Sequence, residues 1–133
     1  MNTVDEAKAA LDSLVTKSRA LKAVLLPWPD KRLNPNARIH FAQKAKVFAE
    51  AKNTAYLLAI QAGLRGYQGR RLKLVFMLPD KRRRDLDNLH ASMKAALDGL
   101  ALAMGCDDSE FCPIEIDRRP SETKVGAVLV EVS

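Results

Sequence analysis

Charged side chains are concentrated in the stretch "PDKRRRDLDNL" (residues 79–89), where four consecutive cations precede two carboxylates spaced one residue apart. The cations are Lys81, Arg82, Arg83 and Arg84. If the backbone is extended at this point, the side chains of Asp85 and Asp87 lie on the same side of the chain. Two such carboxylates repel each other unless a cation neutralises them, and their oxygen atoms are ligands that Mg²⁺ and Mn²⁺ accept. The aspartate pair is therefore a candidate metal site.

The same two acids also have an ordinary structural interpretation. Aspartate is a favoured N-cap residue, and Asp87 stands where a helix is expected to begin. An acid in the first turn of a helix is also stabilised by the helix dipole. An Asp-x-Asp pair alone therefore indicates a helix start more readily than a metal site.

A lysine farther along the chain is the candidate for contacting a phosphate group. Lys94 follows Asp87 by seven residues, or two helical turns, so both side chains fall on nearly the same face of a helix. One interpretation places Lys94 beside a scissile phosphate near the metal. The alternative is a surface ion pair with Asp98, four residues later. The spacing alone leaves both interpretations open.

A second acidic pair, Asp107 and Asp108, follows the helix predicted over residues 88–104. Asp108 is the candidate for a third metal ligand. A helix of that length spans about 25 Å, so the chain must fold back for Asp108 to approach Asp85. Two aspartates in a loop otherwise form an ordinary turn or helix cap.

The elements that must position these side chains alternate between helix and strand. Hydrophobic spacing predicts helices over about 4–19, over about two dozen residues from Arg38, and over 88–104. Short apolar runs predict strands at "LKAVLLPW", "LKLVFMLP", "PIEIDRR" and "GAVLVEV". The order α-β-α-β-α-β-β predicts an α+β or mixed α/β fold, with a small mixed sheet of about four strands and helices packed on it.

The long second helix is expected to bury one face. The residues predicted to form that face are Phe41, Ala45, Phe48, Ala55, Ala59 and Ala62. Its alanines indicate close packing, and Gly63 is a plausible residue to end the helix.

Length and composition exclude several classes of protein. With 133 residues, 47% of them hydrophobic, the chain is expected to form one domain with one core. It has no run of about 18 apolar residues that would span a membrane, and its N-terminus lacks the apolar segment of a secretory signal. Cys106 and Cys112 form neither a disulfide framework nor a zinc pattern. We therefore expect a reduced, cytoplasmic protein.

The net charge of +6 is unevenly distributed. Between Arg65 and Arg84 there are eight basic residues and one acid, so the rest of the chain is close to neutral. A concentrated positive field favours a polyanion, and nucleic acid is the usual one. A solvated surface that aids solubility is the alternative, and a charge run alone does not separate the two.

Taken together, "PDKRRRDLDNL", the lysine-bearing helix after it and the later "DD" resemble the RusA family of crossover junction endodeoxyribonucleases. The stretch "LPWPDKRLNPNARIHFAQKAK" is similar to the N-terminal region of that family. The resemblance covers roughly residues 24–132. It implies a small, dimeric, metal-dependent nuclease, of a kind common in bacteriophages and prophages, that resolves four-way (Holliday) DNA junctions.

The resemblance also implies roles for individual residues. Asp85 and Asp87 match the paired metal-binding aspartates, Asp108 matches the third catalytic aspartate, and Arg84 matches a basic position tied to activity. The family's functional lysine follows the motif asparagine by three residues, where this chain has Ala91. Lys94 comes at six.

Two further points bear on these assignments. The family's spacing of four residues between lysine and aspartate is retained by Lys94 and Asp98. We therefore interpret the later position of Lys94 as one added turn at the start of the helix. The first twenty residues have no counterpart in the family pattern. We therefore predict a helical extension over 1–20 and a RusA-like nuclease domain over 21–133.

The expected function is resolution of four-way junctions by paired cuts, made by a homodimer in the cytoplasm of a bacterial or phage-infected cell. The cofactor is expected to be Mg²⁺, with Mn²⁺ as a possible substitute. The catalytic residues are expected to be Asp85, Asp87, Asp108 and Lys94. The DNA contacts are expected to come from Lys81, Arg82, Arg83, Arg84, Asn34 and Arg38. Two alternatives stay open: a non-catalytic protein that binds branched DNA, and a nuclease of the same fold acting on other branched DNA.

Overall fold

The computed structural model describes residues 21–133, which group into two compact units. One unit, built from residues 21–28, 68–82 and 111–133, holds a β-sheet. The other, built from residues 29–67 and 83–110, holds the helices. The helix predicted over about 4–19 lies outside the described residues.

The sheet unit contains four strands in the order β1-β4-β2-β3. The strands are β1 (Lys22–Pro27), β2 (Leu72–Leu78), β3 (Ile114–Pro120) and β4 (Ala127–Val132). β4 pairs antiparallel with both β1 and β2, whereas β2 and β3 are parallel. The prediction of an α+β fold with a small mixed sheet of about four strands is therefore confirmed.

The two central strands, β2 and β4, and the adjoining β1 bury apolar side chains on both faces, which explains the high apolar content of their sequences. On one face, the fully buried side chains are Leu26, Leu74, Phe76, Val128, Val130 and Val132. On the other face Ala23, Val75 and Leu129 form a smaller buried cluster. The edge strand β3 instead carries charged side chains and is mostly exposed, as expected for a strand with one unpaired edge.

The helical unit contains three α-helices and two short 3₁₀ turns. These are α1 (Phe41–Gln61), α2 (Leu86–Ala91) and α3 (Lys94–Met104), with the turns at Lys31–Leu33 and Asp108–Glu110. None of the helices described over 21–133 is long and apolar enough to cross a membrane.

The single helix predicted over 88–104 is in fact two helices, α2 and α3, separated by Ser92 and Met93. The Ser92 hydroxyl donates a 2.8 Å hydrogen bond to the carbonyl of Asn88, one turn back. Such back-bonding competes with regular helical geometry and bends helices. Leu89, Met93 and Leu100 lie on one apolar stripe of this segment and are all buried. Gly105, with φ of 79°, ends α3.

Helices α1 and α3 approach each other closely at Gly99. A Cβ atom at this position would lie 2.3 Å from the carbonyl oxygen of Lys52 and 3.0 Å from the Cβ of Ala55. Ala55 and Ala59 are buried, as the predicted face of α1 requires. The start of that face was predicted wrongly, since Phe41 is 79% exposed.

Candidate active site

Asp85 and Asp87 lie at the start of α2 and differ in backbone conformation. Asp85 is the N-cap residue, with extended φ and ψ of −82° and 125°. Its Oδ1 accepts a 3.0 Å hydrogen bond from the backbone N–H of Asp87. Asp87 lies inside the first helical turn. The capping role therefore belongs to Asp85 and not to Asp87, and the pair is not part of one extended segment.

The capping hydrogen bond leaves carboxylate oxygens of Asp85 and Asp87 that can coordinate a metal ion. Both aspartates are exposed, and the cap hydrogen bond uses one oxygen of Asp85. Mg²⁺ in proteins is commonly held by one or two carboxylates, with water and substrate phosphate completing its coordination. The donor chemistry of the pair therefore fits a hard divalent cation.

Lys94 contacts two acidic side chains, one of which is the predicted metal ligand Asp108. Its ammonium donates a 3.0 Å hydrogen bond to Oδ1 of Asp98, one turn later in α3. The same Nζ also donates to Oδ2 of Asp108, which is 14 residues away along the chain. The side chains of Asp98 and Asp108 are 21% and 27% exposed, so both acids are partly shielded from water. Lys94 thus links α3 to the turn that follows it.

These contacts favour the charged form of Lys94 and so affect its pKa. The hydrogen bond to Asp108, followed by that to Asp98, raises the pKa of Lys94 above the ordinary lysine value. The surface pair with Asp98 that the spacing allowed is therefore present. The contact with Asp108 adds a partner that the spacing did not reveal.

The two aspartates of "DD" have separate roles. Oδ1 of Asp107 accepts a 2.9 Å hydrogen bond from the N–H of Ser109. In return, the N–H of Asp107 donates to Oε2 of Glu110 at 2.8 Å. The Ser109 N–H and then the Asp108 side chain lower the pKa of Asp107. Asp107 therefore caps the 3₁₀ turn, while Asp108 contacts Lys94.

The reciprocal cap formed by Asp107 and Glu110 was missed in the sequence. An acid followed three residues later by glutamate has the spacing of a capping box, and that signal was available. Recognising this signal would have assigned Asp107 to the cap and left Asp108 as the candidate metal ligand.

The structure brings the predicted site residues together in two groups. Asp85 and Asp87 form one, and Lys94, Asp98 and Asp108 form the other. Among residues 21–133, no three side chains of histidine, cysteine, aspartate or glutamate form a group that could hold a metal ion. A shared site for Asp85, Asp87 and Asp108 thus stays a prediction.

The predicted DNA-binding cations of the run 81–84 face solvent to different degrees. Lys81, Arg82 and Arg83 are exposed, and Arg84 is partly buried. The Arg82 guanidinium lies 3.5 Å from Oδ2 of Asp80, and its backbone N–H donates to the other oxygen of that carboxylate. Asp80 therefore offsets part of the positive charge of the run.

Asn34 and Arg38, the other predicted DNA contacts, lie on the segment that leads into α1. The side-chain oxygen of Asn34 accepts a 2.8 Å hydrogen bond from the N–H of Asn36, so it shapes the turn. Arg38 is exposed. Their proposed contacts with DNA stay predictions.

Comparison with known proteins identifies a similar protein, but its description names no function. No known family model matches this chain. A protein of Xylella fastidiosa, described as an "Uncharacterized protein", is 37% identical over 98 residues, which cover 70% of this chain. This chain spans 64% of the length of that relative.

Proposed function

We propose that this protein is a divalent-metal-dependent endonuclease that cuts phosphodiester bonds in branched DNA, with four-way junctions as its main substrate. The observation that carries the proposal is the contact between Lys94 and Asp108, across 14 residues of chain. The resemblance to the RusA family, together with the lysine spacing, assigns catalytic roles to these same two side chains. Their convergence supports that assignment independently of the motif.

Lys94 would act on the phosphate. A lysine ammonium is charged at neutral pH, and the carboxylate partners of Lys94 raise its pKa further. A fixed cation beside the scissile phosphate stabilises the negative charge that builds up on the phosphoryl oxygens in the transition state. Asp98 would hold the ammonium in place while the DNA backbone approaches.

Asp85, Asp87 and Asp108 would hold the metal, Mg²⁺ or Mn²⁺. When bound, the ion supplies Lewis-acid activation of the phosphoryl group. Lys94 contacts Oδ2 of Asp108, so a metal ion bound by that oxygen would have to displace the ammonium. Asp98 then becomes the acid that keeps the ammonium close to the reacting phosphate.

The basic run and the quaternary state complete the proposal. Lys81, Arg82, Arg83 and Arg84, with Asn34 and Arg38, would contact the DNA backbone, and each neutralised phosphate releases counterions and adds affinity. A four-way junction has approximate two-fold symmetry and needs two matched cuts. A C₂ homodimer with one site per subunit matches that symmetry. We place this reaction in the cytoplasm of a bacterial or phage-infected cell.

The test uses a synthetic mobile four-way junction with Mg²⁺ or with EDTA. We expect the wild type to make paired, symmetric nicks with Mg²⁺ and none with EDTA. Asp108→Asn and Asp87→Asn should lose nicking, whereas Glu115→Gln, an exposed acid of the sheet unit, should cut like the wild type. Nicking by Asp108→Asn at the wild-type rate would contradict the proposed site.

A non-catalytic DNA-binding protein is the second candidate. It is favoured by the cap formed by Asp85, which gives that carboxylate a structural role. Salt-sensitive junction binding without nicks, over a range of Mg²⁺ and Mn²⁺ concentrations, would support it. Nicks in flaps or forks but not in four-way junctions would instead identify a nuclease with another branched substrate.

A further inference from the structure

Phe41, at the start of α1, has the largest exposed fraction of any large hydrophobic residue in the described part of the chain, at 79%. Its ring stacks on that of His40, with centroids 4.8 Å apart and an interplanar angle of 30°. The Nδ1 atom of His40 accepts a 3.2 Å hydrogen bond from the N–H of Ala42, which orients the imidazole as the helix N-cap. The two rings therefore form a pre-ordered aromatic stack at the protein surface.

The stack makes no visible contribution to the core of the fold. Phe76 and Phe111 are buried, and Trp28 packs edge-on against Phe76 with ring centroids 6.0 Å apart. In contrast, Phe41 keeps most of its ring surface accessible. An ordered aromatic surface of this kind is available to a flat ligand.

The charge around the stack indicates the nature of that ligand. Residues 31–49 contain five basic residues and no acid. The basic residues are Lys31, Arg32, Arg38, Lys44 and Lys46. Arg32 is engaged by Asp30 at 2.8 Å, whereas Arg38 and Lys46 are exposed. Arg38 and Lys44 flank the aromatic pair along the chain.

A nucleic-acid strand with an unpaired base matches both features. Proteins that bind single strands combine aromatic side chains, on which bases stack, with cations that follow the phosphates. A paired base presents only its edges to a protein, because its faces are covered by neighbouring base pairs. An acidic peptide would complement the charge but not the flat ring.

We propose that Phe41, supported by His40, stacks on an unpaired base of a DNA strand, with Arg38 and Lys44 contacting the adjacent phosphates. This binding needs no metal and none of the aspartates, so it goes beyond the proposed cleavage function. In branched DNA, unpaired bases arise where strands separate at the branch point. The stack would thus select branched DNA over plain duplex.

The experiment measures binding in EDTA, where no cutting occurs. Fluorescence anisotropy would follow the full-length protein binding to a labelled oligothymidine strand and to a duplex of equal length. We expect Phe41→Ala to weaken strand binding by about tenfold or more, and to leave duplex binding unchanged. Leu57→Ala removes another exposed apolar side chain of α1 and is the matched control, expected to bind like the wild type.

A conservative variant controls for the possibility that Phe41→Ala fails to fold. Phe41→Trp keeps an aromatic face, so we expect wild-type affinity for the strand. Because Trp28 is the only native tryptophan, emission from the new indole can be separated by difference from the wild type. Quenching of that emission by the strand, and not by the duplex, would support stacking.

Several results would overturn the proposal. They are strand binding by Phe41→Ala at the wild-type level, equal losses for strand and duplex, and absence of quenching in Phe41→Trp. If the Phe41 variants instead lose only binding to vesicles that contain phosphatidylserine, the ring contacts lipid and the proposal is wrong. Because every readout is binding in EDTA, failure of the junction-cutting test leaves this result unaffected.

Discussion

At the scale of single residues, Lys94 and a bound metal ion would compete for the carboxylate of Asp108. The ammonium is shared between Asp98 and Asp108, and the proposed function requires Asp108 to bind a metal ion instead. A cation that is already bound to a carboxylate weakens the binding of a second cation to the same group. Asp98 reduces this opposition because it provides an alternative partner for Lys94.

Replacing Asp98 should therefore change metal binding without touching a proposed ligand. We expect Asp98→Asn to weaken Mn²⁺ binding several-fold, because Lys94 then has fewer acidic partners and holds Asp108 more tightly. Lys94→Gln should strengthen Mn²⁺ binding and abolish cutting. Titration of Mn²⁺ by electron paramagnetic resonance measures both effects.

The double variant is the control for this prediction. In the Lys94→Gln background, Asp98→Asn should no longer alter Mn²⁺ affinity, since the competing ammonium is gone. Unchanged Mn²⁺ affinity in the single variant Asp98→Asn would contradict the competition. Absence of any Mn²⁺ binding by the wild type would instead argue against the proposed metal site itself.

A second pair of residues predicts a dependence of stability on pH. Hydrogen bonds from the Arg32 side chain and backbone lower the pKa of Asp30 from 3.8 to about 2. A carboxyl group with a lowered folded-state pKa stabilises the protein above its unfolded-state pKa. That contribution is lost as the pH falls from about 4 towards 2.

We expect Asp30→Asn to lower the free energy of unfolding at pH 7 by at most about 1 kcal/mol, because solvent screens an exposed ion pair. The two side chains are 36% and 37% exposed. The difference from the wild type should shrink as the pH is lowered below 4. Thermal unfolding followed by circular dichroism from pH 3 to 7 measures it, with Glu122→Gln as a surface control. A difference that grows on acidification would have the wrong sign.

At the scale of elements, the close approach of α1 and α3 depends on a glycine. In an isolated helix, replacing glycine with alanine is favourable by up to about 1 kcal/mol. At Gly99 the added methyl would lie 2.3 Å from the backbone carbonyl oxygen of Lys52, and a backbone atom cannot rotate away as a side chain can. The sign of the usual substitution effect is therefore reversed here.

We expect Gly99→Ala to destabilise the protein by about 1 to 3 kcal/mol, the range for overpacking a well-packed interior. Urea denaturation measures the change. Leu102→Ala, at an exposed position of α3, is the matched control and should have a small effect. Increased stability of Gly99→Ala would show that the two helices can separate without loss.

At the scale of the whole molecule, the uneven charge predicts how DNA binding depends on salt. Most of the excess positive charge lies between Arg65 and Arg84, so the affinity should depend on a few cations of that stretch. Each phosphate contact contributes about 0.9 to the slope of log affinity against log salt concentration on duplex DNA.

We expect Lys81→Gln and Arg83→Gln each to weaken junction binding and to reduce that slope by about 0.9 if one phosphate contact is lost. Lys124→Gln removes an exposed cation outside the run and should leave the slope unchanged. Equal effects of all three substitutions would mean that only the net charge matters, and not the position of the run.

Local features of the structure were predictable because they depend on neighbouring residues. The short apolar run "LKLVFMLP" predicted a strand, and it forms β2, in which Val75 and Phe76 are buried on opposite faces. Gly105 ends α3 because its positive φ is readily adopted by glycine. Asp85 and Asp87 were correctly expected at a helix start, although their capping roles were not.

Tertiary structure decided what the local patterns left open. β3 and β4 follow each other in the chain, yet β2 lies between them, because pairing depends on the whole sheet and not on sequence proximity. The contact of Lys94 with Asp108 likewise exists only because the turn after α3 folds back. The exposure of Phe41 depends on which face of α1 packs against another element of the fold. Periodicity and capping act over a few residues, whereas these contacts require distant parts of the chain to meet.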